Sequence, residues 1–237
     1  MKVMTFNVQH CLDYQNQVID IPLFADFIRE QDVDICGLNE IRGEGNWEGY
    51  TDQTNSLGDM LGCNRYFAEA IKVVGTNPYG NALLAKYEIK SAEVIHIPDP
   101  AERDEDVHYE HRCALKAVLD VDGRDVLCIV CHMGLAKSEV AFAVKTVCQL
   151  LDESKLPAIV MGDFNHTKDS GMLEDLFERL SDTDELSEKA GVYTFPSYAP
   201  REKIDYILYR GFKCTSALVV EKIVSDHFPI IAELTVE

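Results

Sequence analysis

Residues Ala158–Thr167 read AIVMGDFNHT, an apolar run that ends in an acid, an amide and a histidine. The first four residues are typical of a buried β-strand, and Gly162 permits close approach of the backbone at its end. Asp163 and Asn165 are two positions apart, so on an extended chain their side chains share a face. The stretch therefore predicts a core strand that carries two polar side chains to the rim of a sheet.

Other short apolar or β-branched runs predict a strand-rich α/β chain with few helices. Residues 20–31 form one amphipathic helical pattern with Asp20 as N-cap, residues 138–153 form the longest pattern, and residues 171–180 form another. Several strands follow one another between residues 65 and 133, which excludes a simple alternating βα barrel and indicates two sheets with helices outside. The predicted strands are KVMTFNV, VDICGLNE, RYFAEAI, GNALLAK, SAEVIHI, CALKAVLDV, DVLCIVCHM, AIVMGDFN, KIDYILY, CTSALVVE and PIIAELTV.

The composition indicates an acidic globular protein. The chain has 237 residues, 46% of them hydrophobic, and its 41 acidic and 22 basic residues give a net charge of −19. This charge repels polyanions and anionic membranes over about 8 Å at physiological salt, so extended nucleic-acid binding is disfavoured. No repeat or Pro/Gly linker marks a boundary, and we expect a single domain over residues 1–237.

The sequence shows no signal-peptide pattern and no apolar run approaching the roughly 18 residues that span a bilayer. We therefore expect a soluble, cytoplasmic protein without a membrane anchor. The 8 cysteines lie in apolar patterns, which favours reduced, buried thiols. Cys128 and Cys131 form a CxxC, but strand alternation directs their sulfurs to opposite faces, which disfavours a metal or redox role.

Polar side chains recur where the predicted strands end. Strand ends converge on one rim of a sheet, so these side chains can share a pocket. Their acids would repel one another without a cation, and hard oxygen ligands favour Mg²⁺ or Mn²⁺ over zinc. Such an ion beside imidazoles suits hydrolysis of a phosphate ester. The residues are Asn7, Glu40, His132, Asp163, Asn165, Asp205, Asp226 and His227.

A series of motifs runs along nearly the whole chain, from Thr5 to Ile230: TFNV, LNEI, YGNALLAK, EHRCAL, CHMG, GDFN, KIDYIL and SDHFPI. In this order they resemble the motif set of the endonuclease/exonuclease/phosphatase superfamily, which has the deoxyribonuclease I-like fold. GDFN together with an early NE and a terminal SDH is far more specific than GDFN alone. The resemblance implies a four-layer α/β/β/α sandwich, a divalent metal ion and a phosphoric ester hydrolase.

The resemblance also implies residue roles. Asp163 orients or deprotonates the attacking water, and Asn165 binds a phosphate oxygen. Glu40 is the principal metal ligand with Asn7 close by, while Asp226 ligates metal or supports the histidine that follows it.

Two histidines match family positions at the scissile phosphate. His227 contacts the phosphate and exchanges a proton with the nucleophile, and Asp205 orients its ring. His132 binds phosphate or assists the leaving group, with no acid partner evident from the sequence. Weaker matches on the substrate side are Tyr79, Asn81 and Arg112, the last with the alternative of pairing with Glu110. No motif matches His10, His108 or His166, which we expect at the surface.

The fold does not select the substrate. The chain lacks a basic strip with interleaved aromatic residues, and the acidic segment 99–106 would repel a long duplex. We therefore favour a small or exposed phosphodiester or phosphomonoester. The alternative is a nuclease acting on DNA or RNA, and a third reading is a non-catalytic binding protein built on the same fold.

Overall fold

The computed structural model describes residues 1–186 and 192–237. Two six-stranded mixed sheets pack face to face, with helices on their outer faces, which confirms the predicted four-layer sandwich. The helices are α1 (Ile21–Gln31), α2 (Gln53–Leu61), α3 (Lys137–Asp152) and α4 (Glu174–Phe177). The strands are β1 (Lys2–Asn7), β2 (Leu12–Asp13), β3 (Val18–Ile19), β4 (Ile35–Arg42), β5 (Asn64–Val73), β6 (Asn77–Ala85), β7 (Glu88–His96), β8 (Cys113–Val121), β9 (Arg124–Cys131), β10 (Ala158–Asp163), β11 (Ser181–Asp182), β12 (Asp205–Arg210), β13 (Phe212–Val219) and β14 (Ile230–Val236).

The strand order places the polar strand ends together. The first sheet has the order β13-β14-β1-β4-β6-β5 and the second β11-β12-β10-β9-β8-β7. β1 runs parallel to β4 in the first sheet, and β10 runs parallel to β9 in the second. Parallel neighbours have their carboxyl ends at the same edge, so the ends of these four central strands form one rim. β12 is antiparallel to β10 and begins at this rim, with Asp205 opposite Asp163.

The core has three apolar layers that follow strand alternation. One layer lies between the sheets, one beneath α3 and α4, and one beneath α1 and α2. Cys128 belongs to the layer between the sheets and Cys131 to the layer beneath α3, which confirms that the two thiols face opposite ways. All eight cysteines are free, and only Cys63 is not fully buried. Each fully buried Leu or Phe in these layers contributes roughly 1.5–3 kcal/mol through removal of apolar surface from water.

The helices agree with the sequence in part. The Asp20 carboxylate accepts a hydrogen bond from the Leu23 amide at 3.0 Å, as expected of an N-cap, and α3 is the longest helix with 16 residues. The predicted helix over residues 171–180 shrinks to the four residues of α4, because Gly171 adopts φ +73° and ends a preceding 3₁₀ turn. Helix α2 has no strong amphipathic pattern and was not predicted: Asp52 caps a weakly apolar segment there. In the described ranges, no helix combines the length and apolarity that a bilayer crossing needs.

Candidate active site

The candidate site is centred on Asp163, at the end of β10. Asp163 is 1% exposed. Its Oδ2 accepts a hydrogen bond from Asn7 Nδ2 at 3.0 Å and lies 3.5 Å from His132 Nε2 and 3.6 Å from His227 Nε2. Side chains from both sheets therefore meet at one carboxylate oxygen, at the rim where the sequence places them.

Gly162 brings Asp163 to this point by a backbone approach that only glycine allows. Its φ is +145°, and a Cβ built on it would lie 1.8 Å from the Cys131 carbonyl oxygen. The end of β10 thus lies directly against the end of its parallel neighbour β9, and Asp163 follows at the rim. The expected close approach at Gly162 is confirmed.

Asn165 reaches the same site by a different route from the one predicted. Its φ is +55°, so the chain leaves the extended conformation and strand alternation does not set its direction. The Asn165 amide N–H donates to Asp163 Oδ1 at 2.9 Å, a local turn that short polar side chains stabilise. Its side-chain Nδ2 donates to the Met133 carbonyl at 2.9 Å and lies 3.1 Å from His132 Nε2. Asp163 and Asn165 share the site because of this turn.

A buried chain of amides, which we call the amide relay, fixes the backbone of Asp163. Asn39 Oδ1 accepts from the Asp163 N–H at 2.9 Å, and Asn39 Nδ2 donates to Asn81 Oδ1 at 2.8 Å. Asn81 Nδ2 in turn donates to the Cys113 carbonyl at 3.0 Å. Asn39 and Asn81 belong to the first sheet, while Asp163 and Cys113 belong to the second, so the relay joins the two sheets.

The amide relay changes the interpretation of Asn81 and adds a residue to the site. Asn81 is 1% exposed and uses its amide inside the protein, which argues against the predicted phosphate contact. Asn39 was not among the candidates, although an amide directly before Glu40 in an apolar strand was a usable signal. Both residues position the acid rather than the substrate.

His132 is held by an arginine instead of an acid. Arg112 Nη1 lies 3.1 Å from His132 Nδ1 and 3.0 Å from Glu110 Oε2. A guanidinium can only donate, so Nδ1 accepts and the proton of the neutral ring is on Nε2, the atom that faces Asp163. The 3.1 Å approach of Asn165 Nδ2 to Nε2 is then a contact between two donors and not a hydrogen bond. Burial and the Arg112 charge hold the pKa of His132 well below its usual value, which keeps the ring neutral. The alternative of an Arg112–Glu110 pair is therefore found, combined with a contact to His132.

His227 forms the expected pair with Asp205. Its Nδ1 lies 2.9 Å from Asp205 Oδ2, and its ring packs against Phe195 with 4.6 Å between centroids. Burial opposes a positive charge on His227, but the carboxylates of Asp205 and Asp163 outweigh it and raise the pKa to about 10. Burial raises the pKa of Asp163 to about 7, against the opposing effect of the His227 charge. The Nε2–H of the charged His227 ring is therefore a hydrogen-bond donor beside Asp163, an acid whose pKa is near neutral pH.

Glu40 lies in a bulge rather than at the end of its strand. The register of β4 against β6 shifts between Leu38 and Ile41, and Glu40 adopts φ +57°. A bulge redirects a side chain, and here it turns the Glu40 carboxylate toward the rim. Its Oε1 accepts from Asn7 Nδ2 at 3.0 Å and its Oε2 from the Tyr79 hydroxyl at 2.8 Å.

The donors around Glu40 fit a hard divalent cation. Burial raises the pKa of Asp226, the His227 charge opposes this rise, and the negative charge of Glu40 adds to it. Oxygen donors of this kind suit Mg²⁺ or Mn²⁺. Asn7 turns its amide nitrogen toward Glu40 and Asp163 and accepts from the Gln9 N–H through Oδ1, so a ligand role for Oδ1 would require the amide to turn.

Another group of possible ligands is less suitable. One donor atom each from Asp163, Asp205 and His227 lie within 4.8 Å of one another. However, His227 Nδ1 is engaged by Asp205 at 2.9 Å, so this nitrogen is occupied by a hydrogen bond. Glu40 and Asp226 are therefore the better candidate ligands.

The three histidines that match no motif differ in exposure. His108 is exposed as expected, whereas His166 is partly buried. His10 is also partly buried, with its ring centroid 6.3 Å from that of Tyr79, and lines a cavity beside Glu40. The surface prediction is therefore met in full only by His108, and His10 follows β1 in left-handed backbone with φ +48°.

Two face-to-face mixed sheets with acids, amides and histidines along one rim are the architecture of the deoxyribonuclease I-like phosphoesterases. The model of the Endonuclease/Exonuclease/phosphatase family matches residues 4–227, and the chain belongs to this family. Members of the family are generally hydrolases of phosphate esters, nucleases included.

Known relatives are distant but cover the whole chain. The uncharacterized protein YbhP of Escherichia coli (strain K12) is 24% identical over 98% of this chain and 95% of its own length. A mannosyl-6-phosphatase of Bacteroides thetaiotaomicron superposes with a TM-score of 0.79 at 19% identity, over 99% of both chains. The human Nocturnin catalytic domain with bound sulfate gives 0.76 at 19% identity, over 100% of this chain and 93% of that one. These structures establish the shared fold.

Proposed function

We propose that the protein hydrolyses small or exposed phosphate esters in a reaction that depends on Mg²⁺ or Mn²⁺. The observation that carries this proposal is the arrangement around Asp163 Oδ2, with Asn7 Nδ2 at 3.0 Å and the Nε2 atoms of His132 and His227 at 3.5 and 3.6 Å. A buried acid with a pKa near neutrality is suited to accept a proton from water. The donors around it are suited to hold the oxygens of a phosphate.

Each side chain of the site has its own role in the proposed hydrolysis. Asp163, fixed through its backbone by the amide relay, orients and deprotonates the attacking water. His132 donates from Nε2 to a phosphate oxygen and stays neutral because Arg112 occupies Nδ1. His227 donates from Nε2 to the phosphate, and Asp205 holds its ring in place and stabilises its charge. Asn165 supplies a further amide at the same edge.

Glu40 and Asp226 would hold the cation, with Asn7 as a further candidate ligand. A bound Mg²⁺ or Mn²⁺ supplies Lewis-acid stabilisation of the negative charge that develops on the phosphoryl oxygens. Tyr79 orients Glu40 through the hydrogen bond from its hydroxyl to Oε2 at 2.8 Å.

A small substrate is supported by charge and by one relative. The net charge of −19 disfavours a long polyanion. The Bacteroides protein of the same fold is a mannosyl-6-phosphatase, a name that denotes a small sugar phosphate substrate.

The test measures hydrolysis of bis(4-nitrophenyl) phosphate and 4-nitrophenyl phosphate with Mg²⁺, with Mn²⁺ and with EDTA. We expect activity only with metal, and a fall of about 10³-fold or more in Asp163→Asn and His227→Ala. Asp122→Asn is the matched control, because Asp122 is exposed at the turn between β8 and β9 and its φ of +54° also suits asparagine. Unchanged rates in EDTA would refute the metal dependence. Rapid plasmid nicking, lost in the same variants, would instead support the nuclease alternative.

A further inference from the structure

A cavity of about 370 Å³ opens beside the candidate active site. Its walls consist of His10, Arg42, Trp47, Glu48, Gly49, Tyr50, Val73 and Tyr79. Tyr79 connects it to the site, because the same side chain lines the cavity and donates from its hydroxyl to Glu40 Oε2 at 2.8 Å. A ligand whose phosphate lies near Glu40 can therefore extend directly into this cavity.

Two fully buried polar side chains hold the cavity walls in place. Gln53, 0% exposed, donates from Nε2 to the His10 carbonyl and accepts at Oε1 from the Arg42 N–H at 3.1 Å. Asn77, also 0% exposed, accepts at Oδ1 from the Trp47 N–H at 3.3 Å. Buried amides placed this way fix loops that would otherwise vary in conformation. The cavity is thus a preorganised part of the fold.

Arg42 provides a positive charge in the cavity wall, and it forms no ion pair with Glu48, the acid of the same wall. Its guanidinium lies over the Tyr50 ring, with Cζ 4.7 Å from the centroid, and forms no ion pair with a carboxylate in the described part of the chain. Stacking uses the face of the guanidinium and leaves its N–H edges available to an anion.

The remaining walls are suited to a ring. Trp47 is 47% exposed and packs edge-on against Tyr50 with 6.4 Å between centroids, which leaves an indole face open. Aromatic faces bind nucleobases by stacking and sugars by apolar contact. The volume of about 370 Å³ lies at the small end of the range for ligand pockets, which fits a mononucleotide or a sugar rather than a polymer.

We propose, building on the proposed function, that this cavity binds the alcohol portion of the substrate, and that this portion carries a ring and a second anionic group. The ring lies against Trp47 and the second anion is bound by Arg42, while the scissile phosphate lies at Asp163. Nucleoside bisphosphates and sugar bisphosphates share this chemistry.

Binding can be measured without catalysis, because Trp47 is the only tryptophan of the protein and its fluorescence reports on the cavity. Asp163→Asn protein in Mg²⁺ is titrated with adenosine 3′,5′-bisphosphate, fructose 1,6-bisphosphate, adenosine and inorganic phosphate. We expect one bisphosphate to change the emission with a Kd at least about 10-fold lower than those of adenosine and phosphate. Whether the adenosine or the fructose compound does so identifies the ring.

Variants then test the role of Arg42. Arg42→Met should weaken bisphosphate binding by about 10-fold or more. Arg42→Lys should weaken it by less, because lysine keeps the positive charge but lacks the paired N–H donors of the guanidinium. Arg124→Met, at the opposite end of β9 from His132, should leave binding unchanged. Equal affinity of Arg42→Met and the parent protein, or bisphosphates that bind no more tightly than phosphate, would overturn the inference. A different result would refute the proposed function alone: wild-type protein that binds bisphosphates but does not hydrolyse aryl phosphates.

Discussion

Replacing Gly162 with alanine tests how the fold delivers the candidate catalytic acid. The new Cβ would lie 1.8 Å from the Cys131 carbonyl oxygen, a backbone atom that cannot rotate away. The φ of +145° is also a conformation that side-chain-bearing residues rarely adopt. The ends of β9 and β10 must therefore separate, which moves Asp163 away from Asn39.

The expected magnitude combines two costs. Overpacking against a rigid neighbour costs about 1–3 kcal/mol. A non-glycine residue in a sparsely populated backbone conformation costs about 1–3 kcal/mol more. We expect Gly162→Ala to lose about 2–6 kcal/mol of unfolding free energy, a large fraction of the roughly 5–15 kcal/mol typical of a folded protein.

Urea unfolding followed by circular dichroism measures this loss, with Gly123→Ala as the control. Gly123 also has positive φ, at +84°, but a Cβ there would meet nothing within 4 Å. The control should lose only the cost of the left-handed conformation, about 1–2 kcal/mol. If Gly162→Ala is no less stable than Gly123→Ala, the close approach of β10 to Cys131 does not constrain the site, and our account of Gly162 is refuted.

Two further predictions concern the histidines. Asp205→Asn should lower kcat for aryl phosphate hydrolysis by about 10²–10⁴-fold and should lower the pKa of His227, because the amide cannot stabilise the charged ring. If NMR shows an unchanged pKa for His227, the Asp205–His227 pair is contradicted. Burial and the Arg112 charge both lower the pKa of His132, so Arg112→Met should raise that pKa by removing the charge while burial continues to hold it low. The variant ring should therefore become protonated at a higher pH than the wild-type ring, and identical titration of the two rings by NMR would contradict the arginine contact.

The sequence predicted the strands and helices that hydrophobic periodicity marks, and the polar side chains that come directly after those strands. Strand alternation was sufficient to separate Cys128 from Cys131, and the strand-end rule brought Asp163, His132 and His227 to one rim. The family resemblance supplied the roles that the pattern alone could not.

The sequence did not predict features that depend on unusual backbone conformations or on contacts between distant residues, because neither leaves a periodic pattern of side chains. Asn165 and Glu40 reach the site through left-handed backbone, which a reading based on extended strands misses. Asn39 and Asn81 pair across 42 positions, and Arg112 meets His132 across 20, so only the folded chain reveals these partners. His10 lines the cavity and follows β1 in left-handed backbone that no motif marks.

The amide relay makes the alignment of the acid sensitive to the distance between the sheets. Asp163 is held through Asn39, Asn81 and Cys113, so a core substitution that widens the sandwich would stretch these hydrogen bonds before it unfolds the protein. An enlarging substitution between the sheets and away from the rim, such as Ala117→Val, would then reduce turnover more than its cost in stability alone predicts. Turnover is therefore a more sensitive measure of the spacing between the sheets than the melting temperature is.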